Sequence, residues 1–176
     1  MTPDQQTLVI HFILGRVPYE ELAQQTGLDP AHDPQFADAM LRDGLASRDG
    51  GTVECALLLA FHFELIEPDL APVLAALLLE PWHHQHEDIA RTLQKLRIAS
   101  TAGALAEAAR VKHEYLAHDD SHALARKCTW ALADIGSTEA RAHLEGLAKD
   151  ADSEIAGYAQ ERLDNWQSEL GRKGAR

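Results

Sequence analysis

The sequence predicts an all-α fold in which antiparallel helical hairpins stack on one another. Alanine and leucine account for 54 of the 176 residues, whereas valine, isoleucine and threonine together account for 20. β-branched side chains lose rotamer freedom on helices and suit strands, so this balance favours helices. Apolar residues also recur at helical spacing, and a pattern of two helices joined by a tight turn returns about every 35 residues.

Helix starts are marked by residues that cap free backbone N–H groups. Thr2-Pro3-Asp4-Gln5 has the form of a capping box, and Asp33-Pro34 is interpreted in the same way. Pro68 suits the first turn of a helix, where its missing N–H costs nothing. The other expected N-caps are Ser100, Ser137, Asp120 or Ser121, and Asp152 or Ser153. The predicted helices are 3–14, 18–26, 34–47, 52–65, 68–79, 85–97, 101–116, 121–135, 138–149 and 152–168.

The repeat is clearest in two segments of the C-terminal half. In 91–110 and in 126–149, a first helix reaches an isoleucine, a small residue and Ser-Thr, and an alanine-rich second helix follows. Terminal repeats of such arrays are atypical, because one face meets water. We therefore predict one structural domain, with an atypical helical cap at 1–48, repeats at 49–168 and a flexible tail at 169–176.

The segment from Leu124 to Asp150 resembles a HEAT-like repeat of the bilin-lyase type. The resemblance is carried by Ala125-Arg126, the run Ala131-Leu132-Ala133-Asp134-Ile135-Gly136, Glu139-Ala140, Leu144 and Leu147. It implies a right-handed α-solenoid, with the second helix of each hairpin on the concave side. It also implies a protein-binding scaffold more often than an enzyme, although a fold does not determine a function.

The charge distribution indicates which kinds of partner the chain could bind. The net charge is −12, which makes nucleic acid and an acidic membrane surface unlikely partners. Residues 1–88 hold 15 acidic residues and three arginines, whereas residues 89–176 hold 13 acidic and 13 basic residues. The excess negative charge thus lies in the N-terminal half and is suited to a basic protein partner. Solubility alone is the alternative explanation.

Six of the ten histidines fall within 83–122, and a metal site is the first hypothesis they suggest. The weak candidate ligands are His83, His84, His86 and Glu87. Deoxyhypusine hydroxylase, a HEAT-like enzyme family, holds two irons with His-Glu dyads at the starts of its helices. Here His86-Glu87 opens a first helix, but its counterpart His122-Ala123 lacks the carboxylate, and His113-Glu114 is expected late in a second helix. The expectation is therefore no metal and no cofactor.

No motif for a catalytic nucleophile or a phosphate-binding loop occurs in the sequence. Cys55 and Cys128 lie in apolar helical patterns and are predicted to be buried, reduced thiols. The first residues lack the features of a secretory leader, so a cytoplasmic location is expected. Trp130 lies at an apolar position within a helix and is predicted to pack in the core.

These observations favour a cytoplasmic protein-binding scaffold rather than an enzyme. A specific form of this hypothesis is a neutralising, immunity-type partner of a basic toxin or nuclease. The alternatives are a metal-dependent hydroxylase-like enzyme and a bilin-lyase-like factor that handles a chromophore. The oligomeric state is left open. The candidate binding residues are Asp38, Asp43, Glu64, Glu67, Asp69, Trp82, Glu107, Glu139 and His143.

Overall fold

The computed structural model describes residues 1–119 and 122–168, and it confirms the all-α prediction. No strand occurs in these ranges. The α-helices are α1 Pro3–Ile13, α2 Tyr19–Thr26, α3 Phe36–Ser47, α4 Gly50–His62, α5 Ala71–Leu78, α6 His86–Leu96, α7 Ala102–Ala108, α8 Ala123–Ile135, α9 Thr138–Leu147 and α10 Ser153–Asp164. Short 3-10 helices occur at Pro68–Leu70, Ala99–Thr101 and Glu114–Asp119.

The residues pack into two units. Unit 1 comprises Met1–Val73 and Trp82–Gln85, and unit 2 comprises Leu74–Pro81 and His86–Arg176. The predicted tail at 169–176 and the predicted caps Asp120 and Ser121 lie outside the described residues. The division into a cap and a run of repeats stays a prediction.

In unit 1, α4 packs against both α1 and α3, and α1 also packs against α2. Helix α4 is suited to this position because apolar residues occur on several of its faces. Of these, Val53, Ala56, Leu59 and Ala60 are fully buried. Helices α3 and α4 approach closely at Gly44, where an added Cβ would lie 2.8 Å from a methyl carbon of Val53. A larger residue at position 44 would therefore push the two helices apart.

In unit 2, α8 packs against α6, α7, α9 and α10, while α7 also packs against α9. Its buried residues are mostly small: Ala125, Cys128, Ala131 and Ala133 accompany the larger Leu132. Small side chains let several helix backbones approach the same helix, because little volume has to be fitted between them. The alanine-rich composition of α8 therefore allows four other helices to pack against it.

Polar pairs in unit 2 link residues that lie 40 positions apart in the sequence. Glu87 pairs with Lys127 and Gln94 bonds Asp134, and these contacts join α6 to α8. Because both contacts keep the same separation, the two helices run parallel. Two ion pairs further along the chain have the same separation of 40 residues, Arg110 with Asp150 and Lys112 with Asp152.

Several predicted caps are confirmed. Thr2 and Gln5 form a reciprocal capping box at α1, Ser137 Oγ accepts from Ala140 N, and Asp152 accepts from Glu154 N. Helix α4 begins two residues before its predicted start because Asp49 Oδ1 accepts from the N–H groups of Gly51 and Thr52. Ser100 was a wrong prediction, since α7 has no side-chain cap and is entered through the 3-10 turn Ala99–Thr101.

Helix α7 ends at Ala108 rather than at the predicted residue 116. The chain tightens there through bonds of the 3-10 type, from Arg110 N to Glu107 O and from Val111 N to Ala108 O. Beyond this point Lys112 forms its ion pair with Asp152. The placement of His113-Glu114 late in a second helix is therefore wrong, because His113 follows the helix and Glu114 begins the next 3-10 segment.

Trp130 was predicted to lie in the core, and this prediction is wrong. Its side chain is 37 % exposed, because its position falls just outside the buried stripe of α8. The ring covers the guanidinium of Arg162, which lies 3.6 Å from the ring centroid and is only 4 % exposed. Trp130 therefore stabilises a nearly buried cation of α10, which also pairs with Glu161.

Both thiols are buried and free, as predicted. Burial raises the pKa of Cys55 to about 12 and that of Cys128 further still, so both remain protonated at neutral pH. Across residues 1–119 and 122–168, every helix is too short or too polar to cross a bilayer.

The predicted inter-helix core can be tested at Leu144. Leu124, Leu132, Leu144 and Leu147 are buried, whereas Ile135 is only half-buried. Because Leu144 is fully buried, Leu144→Ala should lower the free energy of unfolding by roughly 2–5 kcal/mol. Leu79→Ala, at a side chain that is 39 % exposed in the same unit, should cost clearly less. Urea denaturation followed by circular dichroism measures both values, and equal losses would contradict the assignment of Leu144 to the core.

Candidate functional site

Five of the seven acidic candidate binding residues lie on the surface of unit 1. Asp43, Glu64, Glu67 and Asp69 are exposed, and Asp38 is half-buried. Asp38 is partly neutralised, because Arg42 Nε donates to its Oδ2 at 2.7 Å. Within the described residues, the other four and Glu54 form no ion pair, so their charges face solvent uncompensated.

Other acidic residues of unit 1 have structural uses. Asp49 caps α4 and also accepts hydrogen bonds from Thr52 Oγ1 and Gln6 Nε2, and the bond from Thr52 is the largest cause of its lowered pKa. Asp29 accepts from Tyr19 Oη at 2.6 Å and contacts His32 Nδ1 at 2.7 Å. Neither residue was a candidate binding residue, and their contacts explain part of the acidic excess without any partner.

The segment Trp82–Gln85 belongs to unit 1 and contains three candidates. Trp82 is half-buried, and its ring meets that of His83 edge to face at 5.1 Å. His83 is 2 % exposed, and its Nδ1 accepts from Gln85 N at 3.1 Å. His84 is exposed. The adjacent histidines therefore occupy quite different environments.

His86 opens α6 in unit 2, as predicted, and it is fully buried. Its Nε2 lies 2.8 Å from the carbonyl oxygen of Glu80, and its Nδ1 lies 2.8 Å from Tyr115 Oη. Because a carbonyl only accepts, Nε2 carries a hydrogen, and in the neutral ring Nδ1 accepts from the tyrosine hydroxyl. Burial raises the pKa of Tyr115 to about 12, which keeps this donor protonated. Both ring nitrogens therefore form hydrogen bonds that link the start of α6 to Glu80 and to Tyr115.

The ring of His113 lies against that of His86, with the ring centroids 3.7 Å apart and the planes tilted by 32°. Within residues 1–119 and 122–168, no three or more His, Cys, Asp and Glu side chains form a group that could hold a metal ion. Glu87, the remaining weak metal candidate, is paired with Lys127 Nζ at 3.3 Å.

The last three candidates lie on α7 and α9 of unit 2. Glu107 and Glu139 are exposed, and His143 is half-buried with its Nε2 4.0 Å from Glu139 Oε1. The candidate binding residues are therefore divided between the units: five acidic residues and Trp82 are in unit 1, and Glu107, Glu139 and His143 are in unit 2.

Sequence reasoning missed a polar cluster at the start of α8. Asp152 Oδ2 accepts from Lys112 Nζ at 2.8 Å and lies 2.9 Å from His122 Nε2. The hydrogen bonds from Lys112 and His122 hold the pKa of Asp152 well below its usual range, so its carboxylate is ionised. The signal for this cluster was the repeat itself, since His122 is the counterpart of His86 and each bonds a residue about 30 positions further along.

Comparison of the chain with protein-family models, with curated proteins and with solved structures gives no match.

The buried bond between Tyr115 and His86 should contribute measurably to stability. Tyr115→Phe removes the hydroxyl that bonds a fully buried imidazole, so the free energy of unfolding should fall by about 1–3 kcal/mol. Tyr19→Phe removes an exposed hydroxyl bond to Asp29 and is the matched control, with a smaller expected loss. Urea denaturation at neutral pH compares the two variants, and unchanged stability of Tyr115→Phe would refute the structural role given to His86.

Proposed function

We propose that this chain is a protein-binding scaffold whose unit 1 offers an acidic surface to a basic partner. The observation that carries the proposal is the set of exposed, uncompensated carboxylates on that unit: Asp43, Glu54, Glu64, Glu67 and Asp69. Unit 1 holds twelve acidic residues against three arginines. A field of one sign speeds the encounter with an oppositely charged protein and disfavours partners of like charge.

The finer architecture that we propose is a right-handed α-solenoid of HEAT-like hairpins. In unit 2, helices two positions apart in the chain pack on one another, and polar pairs recur at a separation of 40 residues. Both features are expected of stacked hairpins, in which each repeat contacts its neighbours. A solenoid of this kind is suited to binding another protein through an extended face.

The specific form of the proposal is a neutralising, immunity-type partner for a basic toxin or nuclease. An enzyme that binds nucleic acid needs a positive surface to engage phosphates. An acidic protein that covers such a surface would block it by the same electrostatic attraction. Isolation of bound protein from native lysate, followed by its sequencing, tests this form, and an acidic partner would contradict it.

Charge reversal tests whether unit 1 is the contact surface. The triple variant Asp43→Lys, Glu64→Lys and Glu67→Lys should lower the association rate constant with the isolated partner by about tenfold or more, with little change in melting temperature. The matched control reverses three exposed acidic residues of unit 2 that are not candidate binding residues: Asp88, Glu154 and Asp164. Stopped-flow kinetics at two salt concentrations measure the effect. Equal slowing by the two triples would assign it to net charge rather than to unit 1, and a rate that is insensitive to salt would refute electrostatic steering.

Glu64 permits a test that separates binding from folding. Its φ is 57°, in the left-handed region where residues with a side chain are strained and glycine is not. Glu64→Gly should therefore keep or raise the melting temperature while it slows association. Arg48, which has a φ of 54° in the same unit, provides the control, since Arg48→Gly relieves the same strain but removes a positive charge. Association of Arg48→Gly should be unchanged or faster, and slowing by both variants would contradict the proposal.

A further inference from the structure

Four aromatic rings meet in unit 1, where α1 ends, α2 begins and α4 ends. The rings of Phe12 and Phe63 are parallel with centroids 5.8 Å apart, and His62 meets both of them edge to face at 4.8 Å. The centroid of the Tyr19 ring lies 5.5 Å from that of Phe63 and 6.1 Å from that of Phe12. These four residues form the aromatic cluster.

The aromatic cluster reaches the surface of unit 1. His62 is exposed, and the other three rings are half-buried. Phe36 of the same unit is, by contrast, only 6 % exposed. Aromatic rings contribute much of the binding energy of protein interfaces when a partner covers them. The cluster therefore offers a partner an apolar contact that the surface carboxylates of this unit do not provide.

Carboxylates lie next to the rings of the aromatic cluster. Glu20 follows Tyr19 and Glu64 follows Phe63 in the chain, and both carboxylates are exposed. Asp29 accepts from Tyr19 Oη at 2.6 Å, and this hydrogen bond is the largest cause of its lowered pKa, so Asp29 is ionised. A hydroxyl that donates to an anion makes its own ring richer in electrons. The ring of Tyr19 is thereby made more attractive to a cation.

Rings and carboxylates in this combination favour arginine over lysine. A guanidinium is planar and weakly hydrated, so it can stack on a ring while its N–H groups bond a carboxylate. An ammonium is a strongly hydrated point charge and gains less from the ring. Arg16, in the turn between α1 and α2, is exposed, but Glu20, Asp29 and Glu64 outnumber it. The charge around the cluster is therefore negative.

We propose that the aromatic cluster is the point at which unit 1 holds its basic partner, and that an arginine of the partner stacks on Tyr19 and Phe63 and pairs with Glu64. This inference rests on the proposed function, because it names the side chain by which a basic partner is held. The surrounding carboxylates speed the encounter, and the stacked rings slow dissociation.

The test titrates the full chain at low salt with short acetylated peptides in which glycine alternates with arginine, with lysine or with leucine. NMR resonances of the ring protons of the aromatic cluster report the contact, and their saturation gives the affinity. The arginine peptide should shift these resonances and bind about threefold or more tightly than the lysine peptide. Equal affinity of the two basic peptides, or ring resonances that do not respond, would overturn the proposal. A leucine peptide that binds as tightly as the arginine peptide would assign the cluster to an apolar occupant and would also overturn it.

Removal of single rings locates the contact. Tyr19→Leu and Phe63→Leu keep an apolar side chain but remove the ring, so each should weaken the arginine peptide about threefold and the lysine peptide little. Phe36→Leu is the matched control, because it removes a buried ring of the same unit. Circular dichroism checks that each variant stays helical. Equal weakening by Phe36→Leu and Phe63→Leu would assign the effect to a loss of packing in unit 1 and contradict the contact.

The outcomes distinguish this inference from the proposed function. If both basic peptides bind equally and the ring variants change neither affinity, the acidic surface of unit 1 still binds basic partners, but the aromatic cluster does not hold them. If neither basic peptide binds at low salt, the proposed function and this inference both fail.

Discussion

The packing of α8 is the constraint on which the rest of unit 2 depends. Helices α6, α7, α9 and α10 all pack against it, and such crowding requires small residues on several sides of one helix. Ala125, Cys128, Ala131 and Ala133 meet this requirement, since each is buried and none projects far. Apolar burial of this kind is the main favourable contribution to folding, and close packing makes it sensitive to any added volume.

The register of α8 against α6 also decides which polar groups meet. Glu87 reaches Lys127 and Gln94 reaches Asp134 because the helices lie parallel with a fixed offset. The histidines that start the two helices follow the same geometry, but their surroundings differ. His86 is fully buried, with both nitrogens bonded, and is therefore structural. His122 is half-buried and shares Asp152 with Lys112, so the equivalent position belongs to an ion-paired cluster instead.

Much of the fold could be predicted because its determinants are local. The caps Thr2, Ser137 and Asp152 act within a few residues, and apolar periodicity marks buried faces such as that of Leu144. The cap at Ser100 failed for a local reason, the 3-10 turn that precedes α7, but two other errors arose where partners are distant in sequence. The segment after α7 is held by Asp150 and Asp152, 40 residues further along, and Trp130 covers Arg162 of another helix. No local pattern records contacts of this kind.

The candidate site shows the same division between local and distant determinants. A count of acidic residues treats Asp49 and Glu67 alike, yet Asp49 caps a helix and accepts several hydrogen bonds, whereas Glu67 is exposed. Hydrogen bonds from neutral N–H and O–H groups favour the ionised form of such a carboxylate, so it keeps its charge, but they occupy its oxygens and leave fewer of them to bond a partner directly. The carboxylates with oxygens open to direct contact with a partner are therefore fewer than the acidic residues of unit 1, and they are the exposed ones that the fold leaves without a bonding partner.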